Sequence, residues 1–319
     1  MDRTSKVILR KIILDFTCVF IVGFAVLMFY LFGKPYKRGF FCNDESLMHP
    51  YHSSTVTNVM LYIVGIFLPL CVMLLGEFVY AKKMNGHSSV VLFGRAVPPW
   101  VVLVYHKAGT FLFGAAVTVL TCDIAKYTIG RLRPHFFALC VPDVDCSLPQ
   151  NQNKYIEKFT CTASNVGPRL LKEVRLSFPS GHAAFSMYAM LFLVFYLQLR
   201  FTWKGSNIFK HFLQLICIFL AWATAMSRVS DYKHHWSDVL VGMLIGMTVA
   251  VINVLVIAKF FKDRKQNGAG EMRNGETDNS EKFRPVDYDA ETAMQDELSP
   301  LRSQESSYGG TEMINQHIR

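Results

Sequence analysis

Three short polar stretches, each at the edge of an apolar run, contain residue types that could bind and cleave a phosphate ester. They are Lys126-Tyr-Thr-Ile-Gly-Arg-Leu-Arg133-Pro134, Pro179-Ser180-Gly181-His182 and Ser227-Arg228-Val-Ser-Asp-Tyr-Lys-His234-His-Trp-Ser-Asp238. The basic side chains Lys126, Arg133 and Arg228 offer fixed positive charge and N–H donors, which match the oxygens of a phosphate group. Two histidines, His182 and His234, add groups that can transfer protons or attack phosphorus. Together the three stretches predict one phosphate-cleaving site.

The third stretch predicts the nucleophile. If a helix begins near His234, then His234 and Asp238 lie four residues apart and share a helix face. The Asp238 carboxylate could then hold one imidazole nitrogen, which leaves the other free to attack phosphorus and form a phosphohistidine. Arg228 lies upstream, and a loop could fold it back onto the same phosphate. His235 is a rival nucleophile because it lies three residues from Asp238, and only the overall pattern Ser-Arg-x5-His-x3-Asp favours His234.

The second stretch combines a helix start with the other histidine. Ser180 is a favoured N-cap residue and Gly181 a flexible one, so the plain interpretation is a turn that ends at a helix N-terminus. The same geometry provides backbone N–H groups that bind anions. We therefore expect Ser180 and Gly181 to bind phosphate oxygens, and His182 to protonate the leaving alkoxide as a general acid.

The first stretch supplies cations at the end of an apolar run. Basic residues there could simply anchor a helix end at the lipid headgroups, and Arg131 fits that role. We assign Lys126 and Arg133 to the phosphate, where they would neutralise charge on the equatorial oxygens during in-line displacement. No carboxylate cluster suited to Mg²⁺ or Zn²⁺ accompanies the three stretches. The sequence therefore predicts metal-independent hydrolysis without a cofactor.

The composition indicates that membrane-spanning helices position these stretches. Apolar residues make up 51% of the 319 residues, and the mean hydropathy is positive, which exceeds the usual values for soluble domains. A spanning helix needs about 20 mostly apolar residues. The sequence predicts an all-α six-span transmembrane bundle with spans near residues 9–32, 58–80, 101–125, 183–201, 208–226 and 238–261. The first run lacks a signal-peptide cleavage site, so we expect it to be retained as a signal anchor.

The chain changes composition after the sixth run. Residues 1–265 form the predicted membrane domain, whereas residues 266–319 are rich in Gly, Asn, Glu, Ser and Gln. Because such a segment cannot bury a core, we predict a disordered acidic tail. The tail has five Lys/Arg against eleven Asp/Glu, a net charge of −6, so residues 1–265 carry +15 against a total of +9 for the whole chain. The basic excess therefore belongs to the membrane domain, where the basic residues lie at helix ends and within the three stretches. Without a basic patch interleaved with aromatic residues, nucleic-acid binding is disfavoured.

The distribution of Lys and Arg predicts which way the loops face. Most basic loop residues lie on the side of both termini, which the positive-inside rule places in the cytoplasm. The first loop is the exception, with Lys34, Lys37 and Arg38 on the other side. The three stretches would then face the lumen or the outside. Four cysteines in loops on that side could form disulfides or stay free, and their spacing selects no pairing: Cys42, Cys140, Cys146 and Cys161.

The three stretches resemble the signatures of the type 2 phosphatidic acid phosphatase superfamily. The matching patterns are Lys-x6-Arg-Pro, Pro-Ser-Gly-His and Ser-Arg-x5-His-x3-Asp, and the segment Gly39-Phe-Phe-Cys-Asn-Asp-Glu-Ser46 is similar to the animal lipid phosphate phosphatases. The resemblance implies a six-span enzyme whose helical core is similar to that of vanadium haloperoxidases. It also implies phosphate removal from phosphatidate, lysophosphatidate, sphingosine 1-phosphate and ceramide 1-phosphate within the bilayer, at the outer or lumenal face.

The resemblance implies roles for individual residues as well. Carried over by position, His234 is the nucleophile, His182 is the acid, and Asp238 is the partner of His234. The implied phosphate ligands are Lys126, Arg133, Ser180, Gly181 and Arg228. These roles coincide with those argued above from the chemistry of the side chains.

Two other functions stay open at the level of sequence. One is a catalytically silent relative that acts as a lipid-signalling scaffold, which is disfavoured because every signature residue is present. The other is a transporter or channel, which would need charged residues within spans. Asp15, Glu77 and Asp123 are the obvious candidates, and the last two lie near span ends. We expect the plasma membrane rather than an endomembrane, while the preferred lipid and a homo-oligomeric state stay open.

Overall fold

Six long apolar helices dominate the structure. The computed structural model describes residues 3–83, 90–201, 205–206 and 208–258. Within these residues, six helices are long and apolar enough to cross a membrane, which confirms the predicted six-span, all-α class. The predicted tail, residues 266–319, lies outside the described residues, so its disorder and the domain boundary at residue 265 stay predictions.

The described elements follow one another in a simple order. The helices are α1 (Arg3–Phe32), α2 (Asn58–Tyr62), α3 (Leu68–Lys83), α4 (Pro99–Ile129), α5 (Phe136–Cys140), α6 (Pro168–Glu173), α7 (Gly181–Arg200), α8 (Phe209–Ser230) and α9 (Trp236–Ile252). Two π-helical segments, Ile63–Phe67 and Asn253–Ile257, join α2 to α3 and extend α9. The strands are β1 (Phe40–Phe41), β2 (Val90–Leu92), β3 (Arg95–Val97) and β4 (Tyr155–Ile156).

Two helix ends differ from the predicted ends in a way that matters for the site. Helix α4 continues to Ile129, where Gly130 adopts a left-handed φ of 59° and its N–H donates to the carbonyl of Lys126. A glycine in this conformation is a common helix terminator. Helix α8 continues to Ser230. Lys126 and Arg228 therefore lie in the last turns of helices. The prediction that Arg228 lies in a loop is wrong, because α8 includes this residue.

Helix α7 lies at the centre of the bundle, where it packs mainly against α9 and α8 and also against α4. Two glycines of α9 allow the close approach. A Cβ at Gly242 would collide with the carbonyl of Ser180, and one at Gly246 would collide with the carbonyl of Ala184. The start of α7 is therefore held directly against the first turns of α9, and the second and third stretches meet there.

The loops at this end of the bundle form a cross-linked cap. Strand β1 pairs antiparallel with β4, which joins the first and third loops. Disulfides connect Cys42 with Cys146 and Cys140 with Cys161, so the structure selects one of the three pairings that the sequence left open. Phe40 and Phe136 are buried in a small apolar cluster beneath these bonds. The cap fixes the connection that carries Arg131 and Arg133.

Candidate active site

The structure brings the three predicted stretches together at one end of the bundle. Lys126 lies in the last turn of α4, Ser180 caps α7, which begins at Gly181, and His234 precedes α9. The Ser180 N–H donates to the carbonyl of Asp238 at 2.9 Å. The Lys126 ammonium lies 2.9 Å from the position that a Cβ on Gly181 would occupy. These contacts join the second stretch to each of the other two.

His234 is buried and held as a neutral ring. Its Nδ1 lies 2.6 Å from the carbonyl oxygen of Ser177. Since a carbonyl can only accept, Nδ1 carries the proton and Nε2 keeps its lone pair. Burial, together with the positive charges of Arg133 and Lys126, holds the pKa of His234 well below its usual value. At neutral pH the ring is therefore an unprotonated base with an available nitrogen, as a nucleophile requires.

The predicted hydrogen bond between Asp238 and His234 is absent. Asp238 Oδ2 lies 3.9 Å from His234 Nδ1. Helix α9 begins at Trp236 with His235 as its N-cap, so His234 precedes the helix and the four-residue spacing does not place the two side chains on one helix face. Instead, Asp238 Oδ2 accepts from the Ser177 hydroxyl at 2.6 Å and from the His235 N–H at 3.2 Å. Asp238 reaches His234 only through Ser177.

Arg131 has a partner within the site rather than only a headgroup-anchoring position. Its Nη1 donates to Asp238 Oδ1 at 2.5 Å and to the Ser237 hydroxyl at 2.9 Å. Asp238 is fully buried, whereas the Arg131 side chain is 32% exposed. The ion pair compensates the burial of the Asp238 carboxylate. Arg131, Asp238, Ser177 and His234 thus form a continuous hydrogen-bonded series.

His235, the rival nucleophile, is committed elsewhere. Its Nε2 lies 3.1 Å from the carbonyl oxygen of Leu132, and its N–H donates to Asp238. It caps α9 and braces the segment before Arg133. The structure therefore favours His234, which has no such helix-capping role.

His182 lies on the first turn of α7 beside the predicted phosphate ligands. Its Nε2 is buried and without a hydrogen-bond partner among the described residues, while the backbone of Val56 lies beside the ring. Ser180 is the N-cap of α7, and its hydroxyl accepts from the Ala183 N–H. A ring with an unpaired buried nitrogen suits a group that exchanges a proton with a bound ligand.

The cations surround this unpaired nitrogen. The Arg133 Nε is buried and also lacks a partner within the described residues. Arg228 is 1% exposed, and its Nη2 donates to Asp231 Oδ2 at 3.0 Å. Buried arginine donors that the protein does not fully satisfy are suited to a bidentate phosphate. No group of three or more His, Cys, Asp or Glu that could hold a metal ion occurs in the part of the chain that the structure describes.

Comparison with known proteins places this chain in a family. The model of the PAP2 superfamily matches residues 107–262. A Drosophila melanogaster protein, provisionally named a phosphatidate phosphatase, is 49% identical over 271 residues, which are 82% of this chain and 70% of that protein. Phospholipid phosphatase 1 of Rattus norvegicus is 40% identical over 266 residues, 81% of this chain and 89% of the relative. This chain belongs to the PAP2 superfamily. Phospholipid phosphatase 2 of Mus musculus is 41% identical over 79% of this chain and 88% of its own length.

The PAP2 match contains all eight predicted site residues, whereas the loop between α1 and α2 lies before it. No solved structure matches the chain. Nothing in the sequence singles out Ser177, because its contact with His234 uses the main-chain carbonyl, which any residue type possesses. Arg131 was expected at the lipid headgroups, because nothing in the spacing connects that residue with Asp238. The residues of the three stretches thus lie together at one end of the bundle. Ser177 and Arg131, which were not predicted as site residues, connect them through Asp238.

Proposed function

We propose that this chain is an integral membrane lipid phosphate phosphatase that hydrolyses phosphomonoesters through a phosphohistidine on His234. The proposed substrates are phosphatidate, lysophosphatidate, sphingosine 1-phosphate and ceramide 1-phosphate. The PAP2 relatives are named phosphatidate or phospholipid phosphatases, which supports this class of reaction. The observation that carries the proposal is the buried, neutral His234 beside cations from separate segments of the chain.

The first proposed step transfers the phosphoryl group to the protein. Nε2 of His234 attacks phosphorus, a P–N bond forms, and the ester P–O bond breaks. The alkoxide leaves with a proton from the His182 ring, which protonates when the anionic substrate binds beside it. Lys126, Arg133 and Arg228 neutralise the charge on the three equatorial oxygens. These side chains do the work that metal ions do in other phosphoryl-transfer enzymes, so the proposed reaction is metal-independent.

The second proposed step returns the protein to its starting state. Neutral His182 takes a proton from water, whose oxygen attacks phosphorus and breaks the P–N bond. Inorganic phosphate leaves, His182 releases to the solvent the proton that it took from water, and His234 is again neutral with its proton on Nδ1. The Ser177 carbonyl holds this tautomer during both steps. The sum of the two steps is hydrolysis of one ester bond by one water molecule.

The proposed location is the plasma membrane, with the site outside the cell and both termini in the cytoplasm. The two disulfides lie in the loops that cover the site, and disulfides persist in oxidising compartments. The majority of basic loop residues on the opposite side agrees with this orientation. An outward site would meet lipid phosphates in the outer leaflet without extracting them from the bilayer.

The decisive experiment measures phosphate release from phosphatidate in detergent micelles with excess EDTA. We expect the wild type to remain active, His234→Ala to lose roughly a thousandfold or more, and His182→Ala to lose roughly a hundredfold or more. His211→Ala is the matched control, because His211 is exposed on α8 and bonds to Gln214. When the reaction is stopped with alkali, phosphate should remain covalently bound to the wild-type protein but not to the His234→Ala variant.

Each part of the proposal has its own contrary result. Loss of activity in EDTA that added metal restores would contradict metal independence. Full activity in His234→Ala would contradict the nucleophile. A folded wild type inactive on all four lipids would contradict the enzyme and favour the signalling scaffold.

A further inference from the structure

Thr55 connects the first loop to the turn that precedes His234. Its N–H donates to Asp231 Oδ2 at 2.8 Å, and its hydroxyl donates to Asp231 Oδ1 at 2.7 Å. Thr55 lies between the 3₁₀ turn at Glu45–Leu47 and α2, 176 residues from Asp231 in the chain. One residue of a distant loop therefore holds both carboxylate oxygens of Asp231.

Asp231 in turn holds Arg228. Arg228 Nη2 donates to Asp231 Oδ2 at 3.0 Å, and both side chains are almost fully buried. A guanidinium group recognises phosphate through donors in a fixed plane, so its orientation decides how well it binds. The hydrogen bonds from Thr55 to Asp231 and from Arg228 to Asp231 together restrict the rotation of that plane.

The two donors of Thr55 also affect the charge that Arg228 offers. If Arg228 were the only donor to the buried Asp231 carboxylate, the negative charge would offset most of the positive charge of Arg228. The attraction of Arg228 for phosphate would then be weaker. Because Thr55 donates to both oxygens, part of that charge is stabilised on the side away from the guanidinium. Arg228 thus keeps its orientation without being fully neutralised by Asp231.

The following residues extend the same connection. The backbone of Val56 lies beside the His182 ring, and the Thr57 hydroxyl accepts from the Met60 N–H at the start of α2. Consecutive residues of one segment therefore reach a predicted phosphate ligand, the predicted acid and the start of a spanning helix.

We propose that Thr55 is a positioning residue of the phosphate site, acting on Arg228 through Asp231. Thr55 lies outside residues 107–262, which match the PAP2 model, and outside the three signature stretches. The inference rests on the proposed function, because it concerns the same phosphate site. It predicts that Thr55, in the first loop, controls phosphate affinity by positioning Arg228 rather than by contacting the phosphate itself.

The test replaces Thr55 by valine, which removes the hydroxyl but keeps the shape. Loss of one hydrogen bond to a charged group typically changes an equilibrium by roughly tenfold. We therefore expect Thr55→Val to raise the KM for phosphatidate micelles and the inhibition constant of orthovanadate roughly threefold to tenfold. Thr55→Ser, which keeps the hydroxyl, should stay close to the wild type in both measurements.

The chain offers a matched control in the third loop. The Thr160 N–H donates to Asp143 Oδ1 at 2.7 Å, and its hydroxyl donates to Asp143 Oδ2. This is the same pair of bonds in an exposed loop, so Thr160→Val should leave KM and vanadate inhibition unchanged. The pathway through Asp231 is tested with the double variant. In the Asp231→Asn background, Thr55→Val should change KM and vanadate inhibition less than it does in the wild type.

The outcomes separate this inference from the phosphatase proposal. Vanadate binding is measured as a shift in the thermal midpoint of the monodisperse folded fraction, so partial misfolding does not enter the comparison. Equal vanadate affinity in Thr55→Val and the wild type would overturn the role of Thr55, and equal effects in both backgrounds would overturn the path through Asp231. A folded wild type that binds vanadate but releases no phosphate would refute the phosphatase alone.

Discussion

The carbonyl oxygen of Ser177 lies 2.6 Å from Nδ1 of His234, while the hydroxyl of the same serine lies 2.6 Å from Oδ2 of Asp238. The main chain of Ser177 therefore fixes the tautomer of the histidine, and its side chain connects that main chain to the buried carboxylate. Asp238 therefore positions His234 indirectly, through its hydrogen bond with Ser177. This indirect arrangement changes what substitutions at Ser177 and Asp238 should do.

We expect Ser177→Ala to lower kcat for phosphate release roughly tenfold, with little change in KM. The variant keeps the carbonyl that bonds to His234 but removes a hydrogen bond from the buried Asp238. His234 should therefore remain neutral and nucleophilic, although less firmly placed. The measurement is steady-state phosphate release from micelles.

Ser164→Ala, in an exposed loop segment, is the control for Ser177→Ala and should behave as the wild type. A loss as large as that of His234→Ala would mean that the Ser177 hydroxyl, and not its carbonyl, is the essential contact. Unchanged kcat would mean that Asp238 does not influence His234 through Ser177.

The sequence predicted the helices and the principal site residues for physical reasons that can be named. A run of about 20 apolar residues has few alternatives to a spanning helix, and six such runs gave six helices. His182, His234, Lys126 and Arg228 were predicted as site residues because their chemistry follows from residue type, and the structure places them at one end of the bundle. The end of α4 at Ile129 lies beyond the predicted end near residue 125, although Gly130 supplies the left-handed turn that terminates the helix.

The connections between these residues were not predictable from spacing. The Ser177 carbonyl carries no signal in its residue type, and Thr55 contacts Asp231 across 176 residues. The expected bond from Asp238 to His234 assumed a helix start at His234, but the helix begins at Trp236. Contacts through main-chain groups and between distant loops depend on packing, which the period of apolar residues does not describe.

Arg131 should matter for stability more than its partial exposure suggests. Arg131→Met leaves the fully buried Asp238 carboxylate without its ion-pair partner. We expect a loss of about 2 kcal/mol in the free energy of unfolding, which allows for the solvent around Arg131. Arg131→Lys should recover part of this loss, because it keeps the charge without the planar geometry. Thermal midpoints in detergent provide the measurement.

The matched control is the exposed ion pair between Arg169 and Glu173 on α6. Its atoms are 3.4 Å apart, and the arginine side chain is 68% exposed. Surface pairs contribute little, so Arg169→Met should leave the thermal midpoint unchanged. Equal losses in both variants would show that Arg131 has no special relationship with Asp238.

His135 should make stability depend on pH. Burial, and then the charge of Arg133, lowers the pKa of His135 to about 4, whereas an unfolded histidine titrates near 6.5. Below pH 6.5 the unfolded chain therefore binds a proton that the folded protein does not bind until about pH 4, and stability falls as the pH decreases through this window. At pH 5 the loss from His135 is about 2 kcal/mol relative to pH 7.

The check compares unfolding free energies at pH 7 and pH 5 for the wild type and His135→Gln, which cannot titrate. Between pH 7 and pH 5, the free energy of unfolding of His135→Gln should fall by about 2 kcal/mol less than that of the wild type. Other buried histidines contribute equally to both proteins and cancel in the difference. His211→Gln, at an exposed position, should follow the wild type. Parallel losses in His135→Gln and the wild type would contradict the lowered pKa.

The two disulfides give a direct test of which way the site faces. If the loops with Cys42 and Cys140 face outward, intact cells should show no labelling of these cysteines by an impermeant maleimide. Labelling should appear after treatment with an impermeant reductant, because the bonds to Cys146 and Cys161 then open. A variant with all four cysteines changed to serine is the control and should not be labelled under either condition. A site in the cytoplasm predicts free thiols that a permeant reagent labels without any reductant, since the cytosol keeps thiols reduced.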